Sequence, residues 1–401
     1  MEENLLVVRV LGRDRVGLVA EITKRLADFH INIIDIEQSV IHGLFSMFML
    51  IDTSTSKISY TEVEKLLDNC GEELGIEIKT TPFTEYKKSV SEDGNKELNV
   101  ITIFGVDKPG IVAGVSKTLR KLGCNIERIK MIARGELIAM EMLIDSKSSN
   151  LSELREKLRD VGDKLDIDII VQPESIFRWR KRLIVFDMDG TIVDGEIIDE
   201  LAKAAGVGEE VMKLTNKGMK GKIDFEKSLR KRVNLLKGLP VDVLDEIKNN
   251  MRLTPGSEEL INSLKSMGYK LALISGGFTY FTDALKERLG FDYTYANELV
   301  IKDGVVTGEL SGRIIDPRRK AEILNELARK EGISKDEIVA IGDGANDQIM
   351  LKNAGLGIAF NAKEILKKEA DGSITKKNIR GLLYCLGVTE RDLKRNKNCS
   401  A

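Results

Sequence analysis

IVFDMDGTIVD, residues 184–194, begins with three apolar residues that are typical of the end of a buried strand. Two carboxylates follow, Asp187 and Asp189, and Gly190 comes directly after them and allows the chain to bend. Open α/β folds bind their ligands outside the carboxyl ends of parallel strands. The segment therefore predicts an α/β fold whose parallel sheet carries a pair of catalytic acids at its carboxyl edge.

Three later segments carry polar or charged residues that we expect at the same carboxyl edge of the sheet. One apolar strand runs into a Ser-Gly-Gly turn, one helix begins near a lysine, and a second apolar strand leads into GDGAND. These segments supply a hydroxyl with backbone amides, a fixed cation and further carboxylates: Ser275 with Gly276, Lys320, and Asp343 with Asn346 and Asp347. Each group is common alone, but their order after Asp-x-Asp predicts a phosphate site.

A charged helical segment separates the first predicted strand from the next one, which begins at Tyr269. Some fifty residues are too many for a single crossover, so we expect a helical cap at about 197–252. One cap helix carries an apolar stripe of four residues: Phe225, Leu229, Val233 and Leu236. Arg232 lies off this stripe and is free to face the site.

The first half of the chain contains an internal repeat. Five matched pairs share an offset of 93 residues: Asp14 with Asp107, Gly17 with Gly110, Val19 with Val112, Asn32 with Asn125, and Asp52 with Asp145. Each copy has a β-α-β-β-α-β order, which is the ferredoxin-like plan. We therefore expect two α+β domains, over residues 1–86 and 97–174, ahead of a catalytic domain over residues 182–401.

Composition excludes several classes of function. Among 401 residues, 62 Lys and Arg balance 64 Asp and Glu, so the chain has no basic field for nucleic acid. Its two histidines do not support a His-rich metal centre, and its four cysteines are widely spaced, as in reduced proteins. The acidic N-terminus and the lack of a long apolar run predict a cytoplasmic protein without a membrane segment.

The repeated D-x-x-G turn, followed by an Asn at the second strand, resembles the ACT domains, which bind amino acids. This resemblance implies a regulatory ligand at the strand–helix turn and the start of the second strand. The implied residues are Asp14, Gly17 and Asn32 in the first copy and Asp107, Gly110 and Asn125 in the second. It also implies a homo-oligomer formed through the N-terminal domains. In the alternative interpretation, the glycines only allow the turns to form, the polar residues only cap the helices, and no ligand binds.

The order of motifs in the second half resembles the haloacid dehalogenase superfamily of phosphohydrolases, from about residue 183 to 379. The resemblance implies that Asp187 is the nucleophile, Asp189 the general acid and base, and that Ser275 and Lys320 hold the phosphoryl group. It implies a metal site formed by Asp187, the carbonyl of Asp189 and Asp343, with Asp347 and Asn346 in support. A set of oxygen ligands favours Mg²⁺ over Zn²⁺.

Within that superfamily, the segments around Glu196 and Phe225 resemble phosphoserine phosphatases. The implied substrate pocket contains Glu196, Met219, Phe225, Arg232, Gly276, Ser275, Lys320 and Asn346. An anion for the ammonium group and an arginine for the carboxylate suit a free amino acid. We therefore expect hydrolysis of O-phospho-L-serine to L-serine and phosphate through an aspartyl phosphate, the last step of serine biosynthesis.

Two other functions remain open at this point. The chain could be a phosphotransferase, or a phosphatase for another small phosphate ester. It could also be a non-catalytic amino-acid sensor built on a phosphatase fold, although the intact Asp187, Asp189, Lys320 and Asp343 argue against that function.

Overall fold

The computed structural model divides the chain into two units, Met1–Asn95 and Lys96–Ala401. The residues that it describes are 4–84, 96–134, 137–147, 149–178, 181–219, 223–375 and 378–389. In this part of the chain, no helix is both long and apolar enough to cross a membrane.

The first unit is one copy of the repeat. Its elements are β1 (Leu5–Arg13), α1 (Leu18–Asp28), β2 (Asn32–Ile41), β3 (Leu44–Asp52), α2 (Tyr60–Leu74) and β4 (Glu77–Pro82). The strands form an antiparallel sheet in the order β2-β3-β1-β4. In α1, Leu18, Ile22 and Leu26 recur at helical spacing and are buried, so the helix covers one face of the sheet. The predicted ferredoxin-like plan is confirmed.

The second copy of the repeat keeps the same plan and register. Its elements are β5 (Leu98–Gly105), α3 (Ile111–Lys121), β6 (Asn125–Arg134), β7 (Ile138–Asp145), α4 (Leu151–Leu165) and β8 (Ile167–Pro173). Thr102 lies opposite Glu141 as Arg9 lies opposite Phe48 in the first copy, which preserves the offset of 93 residues.

The catalytic half contains a mainly parallel sheet, with one antiparallel strand at its edge, and the strand that begins the acidic motif lies near its centre. Its strands are β9 (Leu183–Phe186), β10 (Lys270–Phe278), β11 (Tyr293–Lys302), β12 (Val305–Ser311), β13 (Ile338–Gly342), β14 (Leu356–Phe360) and β15 (Gly372–Ile374). Strand β9 is fully buried and pairs in parallel with β10 on one side and β13 on the other. The carboxyl ends of these three strands therefore meet, as the predicted α/β fold requires.

Helices surround this sheet and form the cap. The cap contains α6 (Ile197–Ala204), α7 (Gly208–Met219), α8 (Phe225–Asn234) and α9 (Val241–Asn249). A short connector helix, α5 (Glu174–Arg178), precedes the catalytic half. The helices after the cap are α10 (Ser257–Ser266), α11 (Thr279–Leu289), α12 (Pro317–Glu331), α13 (Gln348–Asn353), α14 (Glu364–Glu369) and α15 (Gly381–Cys385). The two linkers of the cap run side by side, because Asp194 N–H donates to Arg252 O and Thr254 N–H to Ile192 O, both at 2.9 Å.

The second repeat and the catalytic half share one sheet of eleven strands, in the order β12-β11-β10-β9-β13-β14-β15-β8-β5-β7-β6. The junction is an antiparallel pairing of Gly372 in β15 with Ile170 in β8. Beside it, buried Asp168 accepts hydrogen bonds from the amide and the hydroxyl of Thr375, at 2.9 and 2.6 Å. Strand β8 thereby covers an edge of the catalytic sheet that would otherwise expose unpaired backbone groups.

The junction depends on the absence of a side chain at Gly372. A Cβ atom there would lie 2.4 Å from Cγ1 and 2.9 Å from Cβ of Ile170, too close for contact without a backbone shift. We expect Gly372→Ala to lower the free energy of unfolding of this unit by about 1–3 kcal/mol. Denaturant unfolding would measure the loss. Gly208→Ala is the control, since nothing lies within 4 Å of the Cβ atom it would add. Equal midpoints for both variants would contradict the prediction.

Lys181 ties the connector to the catalytic half and makes stability depend on pH. Its buried ammonium group donates to the carbonyl oxygens of Ile176 and Asp336, and burial lowers its pKa from 10.5 to about 8. Between these two values the unfolded chain binds the proton and the folded chain does not, so stability rises with pH.

We therefore expect the wild type to gain up to about 1.4 kcal/mol per pH unit relative to Lys181→Met across that range, and nothing below pH 8. Urea unfolding of both proteins at pH 7 and pH 10 would measure the difference. A constant difference would show that Lys181 does not titrate in the folded chain.

Candidate active site

A buried ammonium group lies at the centre of the site. Lys320, in the first turn of α12, donates to Oδ1 of Asp187 and Oδ1 of Asp347, each at 2.7 Å. Its side chain is 1 % exposed. Although burial lowers the pKa of Lys320, the two carboxylates outweigh that effect and raise its pKa above the usual range. Lys320 is therefore a permanent cation that fixes one oxygen of Asp187.

Three carboxylates converge beside this cation. Asp187 follows β9, Asp343 follows β13, and Asp347 ends a 3₁₀ turn, Ala345–Asp347. One oxygen from each lies within 4.8 Å of the others. Burial and then the charge of Asp187 raise the pKa of Asp343 to about 8 and that of Asp347 to about 7. One lysine does not balance this charge, and an all-oxygen donor set fits a hard divalent cation.

Gly190 makes room for this convergence. Its φ is +71°, and a Cβ atom there would lie 2.5 Å from Oδ2 of Asp343. The glycine in the Asp-x-Asp-Gly motif thus permits both the left-handed turn and the close approach of an acid from a distant strand.

Both carboxyl oxygens of Asp189 accept hydrogen bonds. Its Oδ1 accepts the Ile197 amide at 2.9 Å, and its Oδ2 accepts the Ser275 hydroxyl at 3.4 Å. Burial first, then the charges of Glu196 and Asp187, raise the pKa of Asp189 well above its ordinary value. A raised pKa favours the protonated form of the carboxyl group, which is the form that can donate a proton to a leaving group.

The Ser-Gly-Gly turn lies at the end of β10, facing Asp189. The buried Ser275 hydroxyl accepts the Gly277 amide at 2.8 Å. The sequence analysis did not identify Asn297, whose side chain donates to Gly276 O at 2.9 Å and accepts the Ile315 amide at 2.8 Å. Asn297 is 2 % exposed and fixes the turn, and no local motif around it indicated this role.

The cap places charged and aromatic groups over this edge. Phe225 reaches within 3.4 Å of the position that a Cβ atom of Gly276 would occupy. Arg232 donates to the Thr215 hydroxyl at 3.5 Å, and its buried Nε has no hydrogen-bond partner among the described residues. Glu196 is an exposed residue that precedes α6. The protein atoms around its carboxyl group and then the charge of Asp187 raise its pKa, and Arg232 opposes the shift.

Two further residues, Asn346 and Met219, belong to the predicted substrate pocket. Asn346 donates to Asp347 Oδ1 at 3.5 Å, next to the carboxylate cluster. Met219 ends α7, and its side chain lies outside the described residues.

The predicted regulatory residues have matching conformations in both repeats. Gly17 and Gly110 begin α1 and α3 with φ of 100° and 97°, values that favour glycine. Asp14 and Asp107 precede them in the same turn, Asn32 is exposed at the start of β2, and Asn125 donates to Glu127 Oε1 at 2.8 Å. A ligand at these turns stays a prediction.

Comparison with known families agrees with this division of the chain. Residues 181–355 match the haloacid dehalogenase-like hydrolases, and residues 4–81 and 97–172 match the ACT domain. A solved hydrolase of the same superfamily from Salmonella enterica has a TM-score of 0.65 at 29 % identity, over 72 % of this chain and 98 % of its own. A solved probable phosphoserine phosphatase from Vibrio cholerae has a TM-score of 0.59 at 31 % identity, over 77 % and 93 %.

Curated relatives extend the match to nearly the full length. A phosphoserine phosphatase from Archaeoglobus fulgidus is 51 % identical over 86 % of this chain and 97 % of its own. One from Streptomyces coelicolor is 34 % identical over 97 % of this chain and 93 % of its own. With this coverage and a site built from a buried Asp187–Lys320 pair, the chain belongs to the phosphoserine phosphatases, within the haloacid dehalogenase-like hydrolases.

Proposed function

We propose that this enzyme hydrolyses O-phospho-L-serine to L-serine and phosphate, the last step of serine biosynthesis, with Asp187 as the nucleophile. The observation that supports this proposal is a pair of acids on one turn in different surroundings. Lys320 donates to an oxygen of Asp187 at 2.7 Å, whereas burial and neighbouring charges raise the pKa of Asp189. Two carboxyl groups in different environments can act as nucleophile and acid in one reaction.

In the first step, an oxygen of Asp187 forms a bond to phosphorus, and the bond from phosphorus to the serine oxygen breaks. Asp189 gives its proton to that oxygen, so serine leaves as a neutral alcohol. The product on the enzyme is an aspartyl phosphate, and one difficult displacement is divided into two easier ones.

In the second step, water attacks phosphorus and the bond to Asp187 breaks. The carboxylate of Asp189 takes the proton from water, which returns both acids to their starting states. Ser275 and Lys320 bind the phosphoryl oxygens through a hydroxyl and a cation on rigid elements, which suits a reaction that relies on positioning and charge.

The metal in this proposal is Mg²⁺, held by Asp187, the backbone carbonyl of Asp189 and Asp343, with Asp347 supporting the site. The convergence of three carboxylates within 4.8 Å supports a divalent ion that prefers oxygen ligands. When bound, it neutralises negative charge on the phosphoryl group and on the acids.

Selection of serine rests on the cap. Glu196 suits the ammonium group of the substrate, and Arg232, with a buried Nε lacking a partner among the described residues, suits its carboxylate. Phe225 and Gly276 bound the space between cap and turn, and Asn346 and Met219 complete the proposed pocket. A phosphorylated sugar would leave both charged groups unpaired.

The proposal also includes regulation, assembly and location. An amino acid bound at the Asp14–Gly17 and Asp107–Gly110 turns would control the activity of a cytoplasmic homo-oligomer that associates through its N-terminal domains. The two left-handed glycines that begin amphipathic helices support an anion site there, because helix N-termini attract negative charge.

Replacing the nucleophile tests the reaction. Asp187→Asn should lower phosphate release from O-phospho-L-serine by at least about 1000-fold, because an amide cannot form the aspartyl phosphate. Asp194→Asn, an exposed acid in the same motif, should keep wild-type turnover.

The same assay should show activity that is lost on chelation and restored by Mg²⁺. Faster turnover of phosphothreonine or sugar phosphates would favour another ester as substrate, and no turnover of any ester by the Mg²⁺-loaded wild type would favour a sensor. Phosphate release that persists in Asp187→Asn would contradict the mechanism.

Replacing the proposed ammonium contact tests specificity. Glu196→Gln should lower kcat/KM for O-phospho-L-serine by about 10- to 100-fold, since it removes a charged hydrogen bond worth about 1.5–3 kcal/mol. Turnover of p-nitrophenyl phosphate, which lacks the ammonium group, should change by less than about threefold. Glu226→Gln, an exposed cap residue paired with Arg230, is the matched control. An equal loss on both substrates would assign Glu196 a structural role.

A further inference from the structure

A second cavity lies on the outer face of the sheet in the second repeat, opposite the face covered by α3 and α4. Its volume is about 70 Å³, and its lining combines three charged and three apolar residues: Arg128, Glu141, Glu174, Val100, Leu143 and Phe177. The connector helix α5 closes one side. Gly387, in the segment after α15, lies close to the other side of the cavity. A Cβ atom at this position would lie 3.2 Å from Phe177 Cζ and 3.8 Å from Glu141 Oε1.

Glu141 is a half-buried carboxyl group that has no hydrogen bond or ion pair within the described chain. Burial raises its pKa, and the charges of Lys130, its direct neighbour across the sheet, and of Arg128 only partly oppose that shift. Such a group lacks a compensating cation, which a ligand can provide.

Two buried polar atoms on the same face also lack partners among the described residues. Thr102 lies directly opposite Glu141 in the sheet, is 0 % exposed, and its hydroxyl has no hydrogen-bond partner. Gln172 lies opposite Val100, and its Oε1 likewise has none, although its amide nitrogen donates to Cys385 O at 3.2 Å. Buried polar atoms are seldom left unpaired. Neither residue lines the cavity, but both lie beside its wall on the same face of the sheet.

Arg128 supplies the opposite charge at a distance from Glu141. Arg128 lies opposite Leu143, and Lys130, two residues further along the same strand, lies opposite Glu141. Arg128 and Glu141 are therefore diagonal neighbours on adjacent strands, and such neighbours lie about 7–8 Å apart. Neither side chain forms an ion pair with the other or with another residue that the structure describes. A carboxylate and a guanidinium therefore line one cavity without neutralising each other.

The first repeat provides an internal comparison. At the offset of 93 residues, Phe48 replaces Glu141, Asp35 replaces Arg128, and Arg9 replaces Thr102. Phe48 is 55 % exposed on the equivalent face. The paired charges are thus particular to the copy that shares its sheet with the catalytic half.

We propose that this cavity binds a small zwitterionic α-amino acid, with its ammonium group at Glu141 and its carboxylate at Arg128. The volume holds roughly five to seven water-sized groups, which matches glycine or serine and excludes larger side chains. The site is separate from the active site and from the glycine turn at Gly110. Because it lies between the shared sheet, α5 and the end of α15, its occupation would stabilise the attachment of the repeat to the catalytic half.

Calorimetric titration of the full chain with L-serine and with glycine tests the proposal. Besides any binding at the active site and at the glycine turns, the wild type should show a site that Glu141→Gln weakens at least tenfold, with kcat for O-phospho-L-serine unchanged within about twofold. Glu196→Gln, in the active site, should leave this site intact and thereby separates it from product binding. Glu153→Gln, an exposed acid in α4, is the matched control.

Charge analogues of the ligand provide a second measurement. Serinamide, without the carboxylate, should bind Arg128→Gln as it binds the wild type, and N-acetylserine, without the ammonium group, should bind Glu141→Gln as it binds the wild type. The proposal is overturned if millimolar serine and glycine give no heat with the wild type, if Glu141→Gln binds both normally, or if only Glu196→Gln weakens binding.

Discussion

The buried contact of Lys320 with Asp187 and Asp347 is the interaction on which the catalytic half depends. An ammonium group at 1 % exposure is costly unless it is paired, and each carboxylate near it is costly without a cation. Strands β9 and β13, helix α12 and the 3₁₀ turn must therefore meet at one point for any of these charges to be tolerated. The arrangement that satisfies the buried charges also leaves the second oxygen of Asp187 unbound by Lys320, and this is the oxygen that the proposed mechanism uses.

Features that are local in sequence could be predicted with their residue numbers. Apolar residues before Asp187 and Asp343 indicated buried strands, and the carboxyl ends of neighbouring parallel strands meet by geometry, so the convergence of these acids followed. The 93-residue repeat likewise predicted two ferredoxin-like domains, because periodic burial patterns are retained when a unit is duplicated.

Features that depend on contacts between distant segments could not be predicted. Strand β15 has three residues and no alternating pattern, so nothing in Gly372-Ser-Ile indicated that it would pair with β8 and join two sheets. Asn297 acts through Gly276, and Glu141 is significant only because α5 closes over it. Each role depends on contacts with residues that are far away in the sequence. A pattern within a short stretch of sequence does not include those residues.

The hydrogen bond from the Ile197 amide to Asp189 has a consequence for the timing of the catalytic cycle. Ile197 begins the cap, so the group that is proposed to transfer the proton also accepts a hydrogen bond from the first turn of the cap. A charged carboxylate accepts a hydrogen bond about twice as strongly as a neutral one. In the proposed mechanism, Asp189 becomes charged when it protonates the departing alcohol, so its hydrogen bond to the cap would be stronger while the enzyme is phosphorylated. The bond would weaken again when the proton returns from water.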